Sequence, residues 1–199
     1  MIFDVHVLPY IFAATRLVPL FSHTLRLGGS IYADKPLVEA ALARGDSLGI
    51  TPGGIAEMFY GYPQHGCRAL EEYAVLRRRK GFVRLAVQHG AALVPTYIFG
   101  ASKLYRRIVL PKVVEDVSNY IRVSIVLFYG RLGLPIPFEV AMTYALGTAI
   151  DTSHWLQMGP VTPPEVVDFV HNTFKAGLLH TFDHHKVAYG WGDRTLKIV

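Results

Sequence analysis

The chain carries a single cysteine, Cys67, among its 199 residues. One thiol cannot close an internal disulfide, and it leaves no cysteine framework for a structural metal, which fits a reducing, cytosol-facing setting. Charge is scarce as well. Charged residues make up 18% of the chain against 51% hydrophobic, and the mean hydropathy is +0.29. Long hydrophobic runs are nevertheless absent: no stretch approaches the roughly 20 uninterrupted apolar residues of a bilayer-spanning helix. Residues 1–27 come nearest, but Asp4, His6, Pro9, Arg16, Pro19, His23 and Arg26 interrupt them. A basic start and a small-residue cleavage site are also lacking, so no signal peptide is expected. Without a Gly-x-Ser-x-Gly elbow a serine hydrolase would have no nucleophile, and no phosphate-cradling nucleotide loop occurs.

What remains is a greasy, basic chain with room for one domain and a substantial core. Twenty Lys and Arg against 15 Asp and Glu give a net charge of +5. That balance suits anionic lipid, coenzyme A phosphates or nucleic acid. Nucleic acid is not expected, because the aromatics are not interleaved with basic residues in a binding motif. Apolar and basic surface without a spanning segment suggests a domain that sits on a membrane. There is no internal repeat, low-complexity tract or linker.

Residues 36–44 read as a short helix with Pro36 in its first turn and Gly45 at its stop. Residues 47–51 read as a strand ending at Pro52-Gly53-Gly54, whose glycines permit φ > 0 and close approach of a ligand. A loop is expected over 61–66. Over 79–89, Phe82, Val83, Leu85 and Ala86 make a helical face stopped by Gly90. Residues 92–99 read as a buried strand, 103–116 as partly helical with a break at Pro111, and 123–129 and 141–147 as further strands around a proline-rich loop at 134–137. Thr162-Pro163-Pro164-Glu165 has the spacing of a capping box with proline at the first helical position. Val166, Val170, Phe174, Leu178 and Phe182 then recur every four residues as one buried stripe. Strands alternating with helices imply an α/β domain.

Several groups could carry chemistry. Pro52-Gly53-Gly54 with Glu57 is either a carboxylate at the mouth of a site on a strand's carboxyl end or an ordinary strand-to-helix turn with an exposed acid. Arg77-Arg78-Arg79-Lys80 is either a phosphate or anionic-membrane site or a solvated basic face. His180, His184 and His185 with Asp183 contain an i, i+4 pair that a metal could use, but without a third ligand they read as helix surface. No metal site is expected.

In order along the chain, these segments resemble the type-2 diacylglycerol acyltransferase family, which includes monoacylglycerol and wax-ester acyltransferases. The resemblance runs from about Val18 to the end. Gly28-Gly29 looks like the family's Gly-Gly segment, and Pro52-Gly53-Gly54 with Glu57 like its Pro-Gly-Gly-x-x-Glu block. Arg79-Lys80-Gly81-Phe82 through Ala86, Gly90, Val94-Pro95 and Phe99-Gly100 is similar to its longest signature. Gly130-Arg131-Leu132-Gly133-Leu134-Pro135 is similar to its Gly-Arg-x-Gly segment. His171, Phe174, Phe182 and His185-Lys186 are similar to its C-terminal helix.

The resemblance implies a glycerolipid-acyltransferase-like mixed sheet flanked by helices. It also implies acyl transfer from acyl-coenzyme A, a co-substrate rather than a cofactor, to diacylglycerol. The implied base is the first His of a His-Pro-His-Gly block, with Glu57 beside it as the catalytic carboxylate of this chain. Pro52, Gly53, Gly54, Arg79, Lys80, Gly81, Phe82, Pro95 and Arg131 are the implied substrate-binding residues. The implied setting is the cytosolic face of the endoplasmic reticulum membrane or a lipid droplet, and an oligomer is compatible with it.

The sequence departs from the family pattern at three places. No His-Pro-His-Gly occurs in the 199 residues, and His6 lies too close to Gly28 to stand in for it. Residues 1–199 therefore read as the C-terminal two-thirds of an acyltransferase domain. Ala101 stands where the family carries Glu or Gln, and Gly147-Thr148-Ala149-Ile150 replaces a Gly-Lys-Pro-Ile-like segment. The alternatives are a monoacylglycerol or fatty-alcohol acceptor, or a non-catalytic lipid-binding pseudoenzyme.

Overall fold

A computed structural model of the chain describes residues 8–11, 31–32, 34–57, 60–61, 66–108, 113, 128–134, 136–158 and 162–199. The Gly28-Gly29 segment, His6, Pro111 and most of the strand expected over 123–129 lie outside the described residues.

Strand β1 (Leu8–Ile11) runs parallel between β2 (Ile31–Tyr32) and β3 (Leu48–Gly49). Between β2 and β3 lies α1 (Lys35–Ala43), with Pro36 in its first turn and Val38 and Ala41 buried. Gly45, at φ +82°, supplies the left-handed residue that ends it. After β3, the Pro-Gly-Gly turn leads into a single helical turn, α2 (Gly54–Glu57).

Strand β4 (Glu71–Ala74) is followed by α3 (Gly81–His89), which buries Val83, Ala86 and Val87 and stops at Gly90 with φ +62°. The buried Thr152 hydroxyl contacts the backbone carbonyls of Ala86 (3.1 Å) and Ala91 (2.9 Å) where α3 ends. Strand β5 (Thr96–Phe99) is shorter than expected, although Leu93 still bridges to Ile150. Two short strands follow, β6 (Arg106–Arg107) and β7 (Phe128–Tyr129), paired antiparallel. Strand β8 (Thr143–Leu146) pairs antiparallel with β5.

The long helix α4 (Pro164–Lys186) begins at the expected proline, but the capping box does not form. Pro163, extended because Pro164 follows it, is the N-cap and makes no side-chain bond; Thr162 is therefore one residue too early to cap. The buried face is Val167, Val170, His171, Phe174, Leu178, Thr181 and Phe182. Strict four-residue steps drift around a helix of 3.6 residues per turn, so Val167 takes the place expected for Val166.

The last strand, β9 (Thr195–Ile198), pairs parallel with β4 in the register Glu71↔Thr195 to Ala74↔Ile198. Neither strand was expected from local pattern. The class is α/β, but the strands form four separate small sheets among the described residues rather than one central mixed sheet. Helix α4 ties two of them, the β4–β9 and β5–β8 pairs, to α3. Phe174, Leu178 and Phe182 pack with Ala74, Leu76, Phe99, Ala145 and Leu196. Val167 and Val170 pack with Val83 and Val87 of α3. Phe82, Leu93 and Ile150 touch both clusters.

Candidate active site

The Pro52-Gly53-Gly54 turn closes through the Gly54 N–H, which donates to the Thr51 carbonyl at 3.2 Å. Its two glycines serve different ends. Gly54 takes φ +57°, a conformation that favours glycine. Gly53 makes room: a Cβ there would sit 2.5 Å from Cδ and Oε2 of Glu57 and 2.8 Å from its Cβ. The Glu57 side chain thus folds back over a bare backbone. Its Oε1 accepts the Val75 N–H at 3.2 Å. Burial raises the carboxyl above its ordinary pKa of 4.5, and the Val75 N–H, which favours the ionised form, opposes that rise.

Next to Val75, strand β4 carries a second acid. Glu72 is only 6% exposed; Arg194 Nη1 lies 2.6 Å from its Oε1, with Lys103 Nζ at 3.7 Å. The Arg194 guanidinium lies 4.5 Å from the Trp191 ring centre. Tyr97 feels both acids. Burial, then Glu72 and Glu57, hold its proton well above the usual phenol range, against the pull of Arg194. Its ring packs edge-on against Phe99 (4.8 Å) and Phe182 (4.9 Å). Two carboxylates, a guanidinium and a protonated phenol therefore gather at the β4–β5 end of the core.

The chain leaves this centre along Arg77, Arg78 and Arg79, all exposed and none ion-paired among the described residues. Lys80 differs. It pairs with Asp168 of α4, whose carboxyl this hydrogen bond holds below the usual range. The run of four cations thus divides into three unpaired guanidiniums and one neutralised ammonium. Gly81 opens α3 beside free space. Phe82 turns inward, edge-on to Phe174 at 5.0 Å and to His171 at 6.3 Å. His171 is 1% exposed. Burial, then Lys175, lowers its pKa below 6.5, and its Nε2 has no hydrogen-bond partner among the described residues.

Of the residues expected to act, Pro52, Gly53, Gly54 and Glu57 share one turn. Arg79, Lys80, Gly81 and Phe82 follow on from the strand whose end holds Glu57. Pro95 is fully buried, against positions Gly147 and Gly177, and its carbonyl accepts the Gly147 N–H at 2.8 Å. Arg131 is exposed and pairs with Glu139; no hydrogen bond or ion pair joins it to Glu57 or to the Arg77–Lys80 loop. Sequence reasoning missed Glu72, Tyr97 and Arg194. No local pattern marked them: every second residue from Glu72 to Leu76 is buried, but Glu-Glu-Tyr-Ala-Val-Leu does not alternate polar with apolar. His180 and His184 stack on the exposed side of α4 at 6.0 Å, and no metal-sized group of three His, Cys, Asp or Glu exists among the described residues. No helix among these residues is long and apolar enough to cross a membrane.

A turn that clears a glycine for a carboxylate, followed by unpaired arginines, invites comparison with known proteins. The family model described as "Diacylglycerol acyltransferase" matches residues 3–199. Diacylglycerol O-acyltransferase 2 of Rattus norvegicus is 28% identical over 92% of this chain and 49% of its own length. Acyl-CoA wax alcohol acyltransferase 1 of Mus musculus is 31% identical over 73% of this chain and 45% of its own length. 2-Acylglycerol O-acyltransferase 1 of Bos taurus is 30% identical over 93% and 55%. The chain spans about half the length of the curated relatives it matches. No solved structure matches it. With nearly the whole chain under one family model, and the Pro-Gly-Gly-x-x-Glu turn built around its carboxylate, the chain belongs to the diacylglycerol acyltransferase family.

Proposed function

We propose that residues 1–199 act as one acyltransferase domain that moves an acyl chain from acyl-coenzyme A to diacylglycerol, forming triacylglycerol. The site of action is the cytosolic face of the endoplasmic reticulum membrane or a lipid droplet. One observation carries the reading: Glu57 is folded over Gly53 and held by Val75, two residues from three unpaired arginines. A carboxylate and a cationic loop so joined suit an acceptor hydroxyl beside a phosphorylated acyl carrier.

In the reaction the acceptor oxygen attacks the thioester carbonyl. Its proton passes to a base, the tetrahedral oxyanion collapses, and coenzyme A leaves as the thiol. A base is required because a neutral alcohol is a weak nucleophile. Glu57 orients the acceptor or that base. Arg77, Arg78 and Arg79 bind carrier phosphates, an Arg offering two parallel hydrogen bonds to one phosphate. Pro52 and Gly54 shape the turn around Glu57, and Gly81 leaves the mouth of α3 open for the carrier. Lys80 and Phe82 fix that loop on α4, Pro95 braces β5 against α4, and Arg131 contacts substrate or the membrane surface.

A second reading keeps the chemistry and changes the acceptor. Relatives named for wax alcohol and for 2-acylglycerol are as similar to this chain as those named for diacylglycerol. The test incubates the chain, alone and extended upstream with a His-Pro-His-Gly block, with labelled acyl-coenzyme A and a panel of diacylglycerol, monoacylglycerol and fatty alcohol. Triacylglycerol from the extended protein is expected. Ester on another acceptor selects the second reading. Binding of acyl-coenzyme A with no ester from either folded protein overturns both and leaves a pseudoenzyme.

A further inference from the structure

Strand β4 has two edges with different tasks. On one edge the Ala74 carbonyl accepts the Val199 N–H (2.9 Å), and the Leu76 and Arg77 N–H groups both donate to the Val199 carbonyl (2.9 Å each). The Val75 N–H lies between them in sequence, just past the end of β4, and meets Glu57 Oε1 instead. Backbone groups alternate edges over the paired residues Glu71–Ala74, so a one-residue slip of β4 against β9 would change which of them face β9 and would displace the Val75 that follows Ala74. Glu57 would then lose the donor now aimed at it.

Two-stranded pairing is weakly held by itself. Here the register carries an extra lock. Buried Glu72, opposite Leu196, reaches back along β9 to Arg194. Arg194 is itself held by the face of Trp191 and by Lys186, whose Nζ donates to its carbonyl at 3.2 Å. The Thr195 N–H donates to the Leu70 carbonyl at 3.0 Å, fixing the start of the pairing as Val199 fixes its end. A buried ion pair is the kind of device that selects one register over its neighbours.

From these contacts we infer that Arg194 and Glu72 are positioning residues for Glu57: by locking β9 onto β4 in one register, they aim the Val75 N–H that holds the carboxylate over Gly53. The inference rests on Glu57 lying at the acyl-transfer centre. Arg194, 122 residues from Glu72 in sequence, then acts on the reaction without touching substrate.

The test uses Arg194→Ala, Arg194→Lys, Glu72→Gln, Glu57→Ala and the Arg194→Ala/Glu57→Ala double variant, in the same protein that forms ester. Residue-resolved amide exchange at Val75 reads the positioning directly. Arg194→Ala should speed that exchange while amides in the middle of α4 keep theirs. It should also lower kcat by about tenfold, the loss expected when a carboxylate loses a charge-assisted hydrogen bond. KM for acyl-coenzyme A should stay within about twofold, because Arg77, Arg78 and Arg79 are untouched. Arg194→Lys should recover part of both losses. In the double variant the Arg194 change should add less than about twofold to Glu57→Ala, since two residues acting through one group are not additive. Unchanged Val75 exchange, or losses that multiply in the double variant, would overturn the inference. If Arg194→Ala does not fold, Glu72→Gln and Arg194→Lys carry the same comparison. If no ester forms at all, the proposed function fails and the exchange measurement still decides the positioning.

Discussion

Gly53→Ala adds one methyl group at the point where the Glu57 carboxylate now sits. Gly53 does not adopt positive φ, so alanine meets no backbone penalty there. Fewer unfolded conformations would even favour it by about 0.4–1 kcal/mol. The whole cost falls on Glu57, since the new Cβ would lie 2.5 Å from Cδ and Oε2 and 2.8 Å from Cβ. The side chain must rotate away and abandon the 3.2 Å bond from Val75, and because the Glu57 Cβ stays put in every rotamer, the turn backbone must shift as well. A hydrogen bond to a charged group contributes about 1.5–3 kcal/mol, and a buried N–H left unpaired costs about 1–3 kcal/mol. If the reaction needs the carboxylate in place, that loss corresponds to roughly 10- to 150-fold in turnover. Thermal unfolding should shift by only a few degrees. The assay is initial-rate ester formation from labelled acyl-coenzyme A at saturating acceptor, beside a melting curve and the Val75 amide exchange rate. Turnover and Val75 exchange both equal to wild type would refute the reasoning, because they would mean that Glu57 need not lie over Gly53.

Replacing Arg77, Arg78 and Arg79 together by Gln should raise KM for acyl-coenzyme A about tenfold or more and flatten its dependence on salt, since each removes an unscreened partner for phosphate; titration at several salt concentrations checks it. Lys80→Ala should act differently, weakening the tie between the loop and Asp168 while leaving that salt dependence close to wild type. His171 gives a pH prediction. Its folded pKa lies below the ordinary 6.5, so the unfolded chain binds its proton first. The stability it contributes is complete above 6.5 and is lost as pH falls through the folded pKa. Denaturant midpoints against pH should lose that acid slope in His171→Leu. The comparison belongs in a Glu57→Gln background, because the raised Glu57 pKa contributes with the opposite sign, losing stability as pH rises. Gly130→Ala should unfold the Arg131–Ile136 turn, because its Cβ would fall on the Ile136 carbonyl oxygen; circular dichroism and proteolysis at that turn report the outcome.

How much was legible in the sequence follows from where each residue finds its partner. Pro36, Gly45, Gly90 and Pro164 act on their own backbone, and the boundaries of α1, α3 and α4 fall where they direct. The Pro-Gly-Gly turn was legible for the same reason, including the positive φ at Gly54. Strands β4 and β9 were not. Two adjacent glutamates carry no local signal of burial, and Glu72 finds its partners, Lys103 and Arg194, far away in the chain. The basic run likewise read as uniform, whereas Asp168 selects Lys80 alone. Sequence pattern could also not distinguish Gly53 from Gly54, since the role of the first depends on where the Glu57 side chain folds.

The account turns on Glu57 as the carboxylate of the acyl-transfer centre, and Glu57→Gln tests it most directly. Glutamine keeps the size and can still accept the Val75 N–H, but it removes the charge. Measured as triacylglycerol formed from labelled acyl-coenzyme A by folded protein, turnover should fall at least about tenfold, a loss of about 1.4 kcal/mol of transition-state stabilisation. Turnover equal to wild type would contradict the claim and leave the carboxylate over Gly53 as a structural feature of the turn.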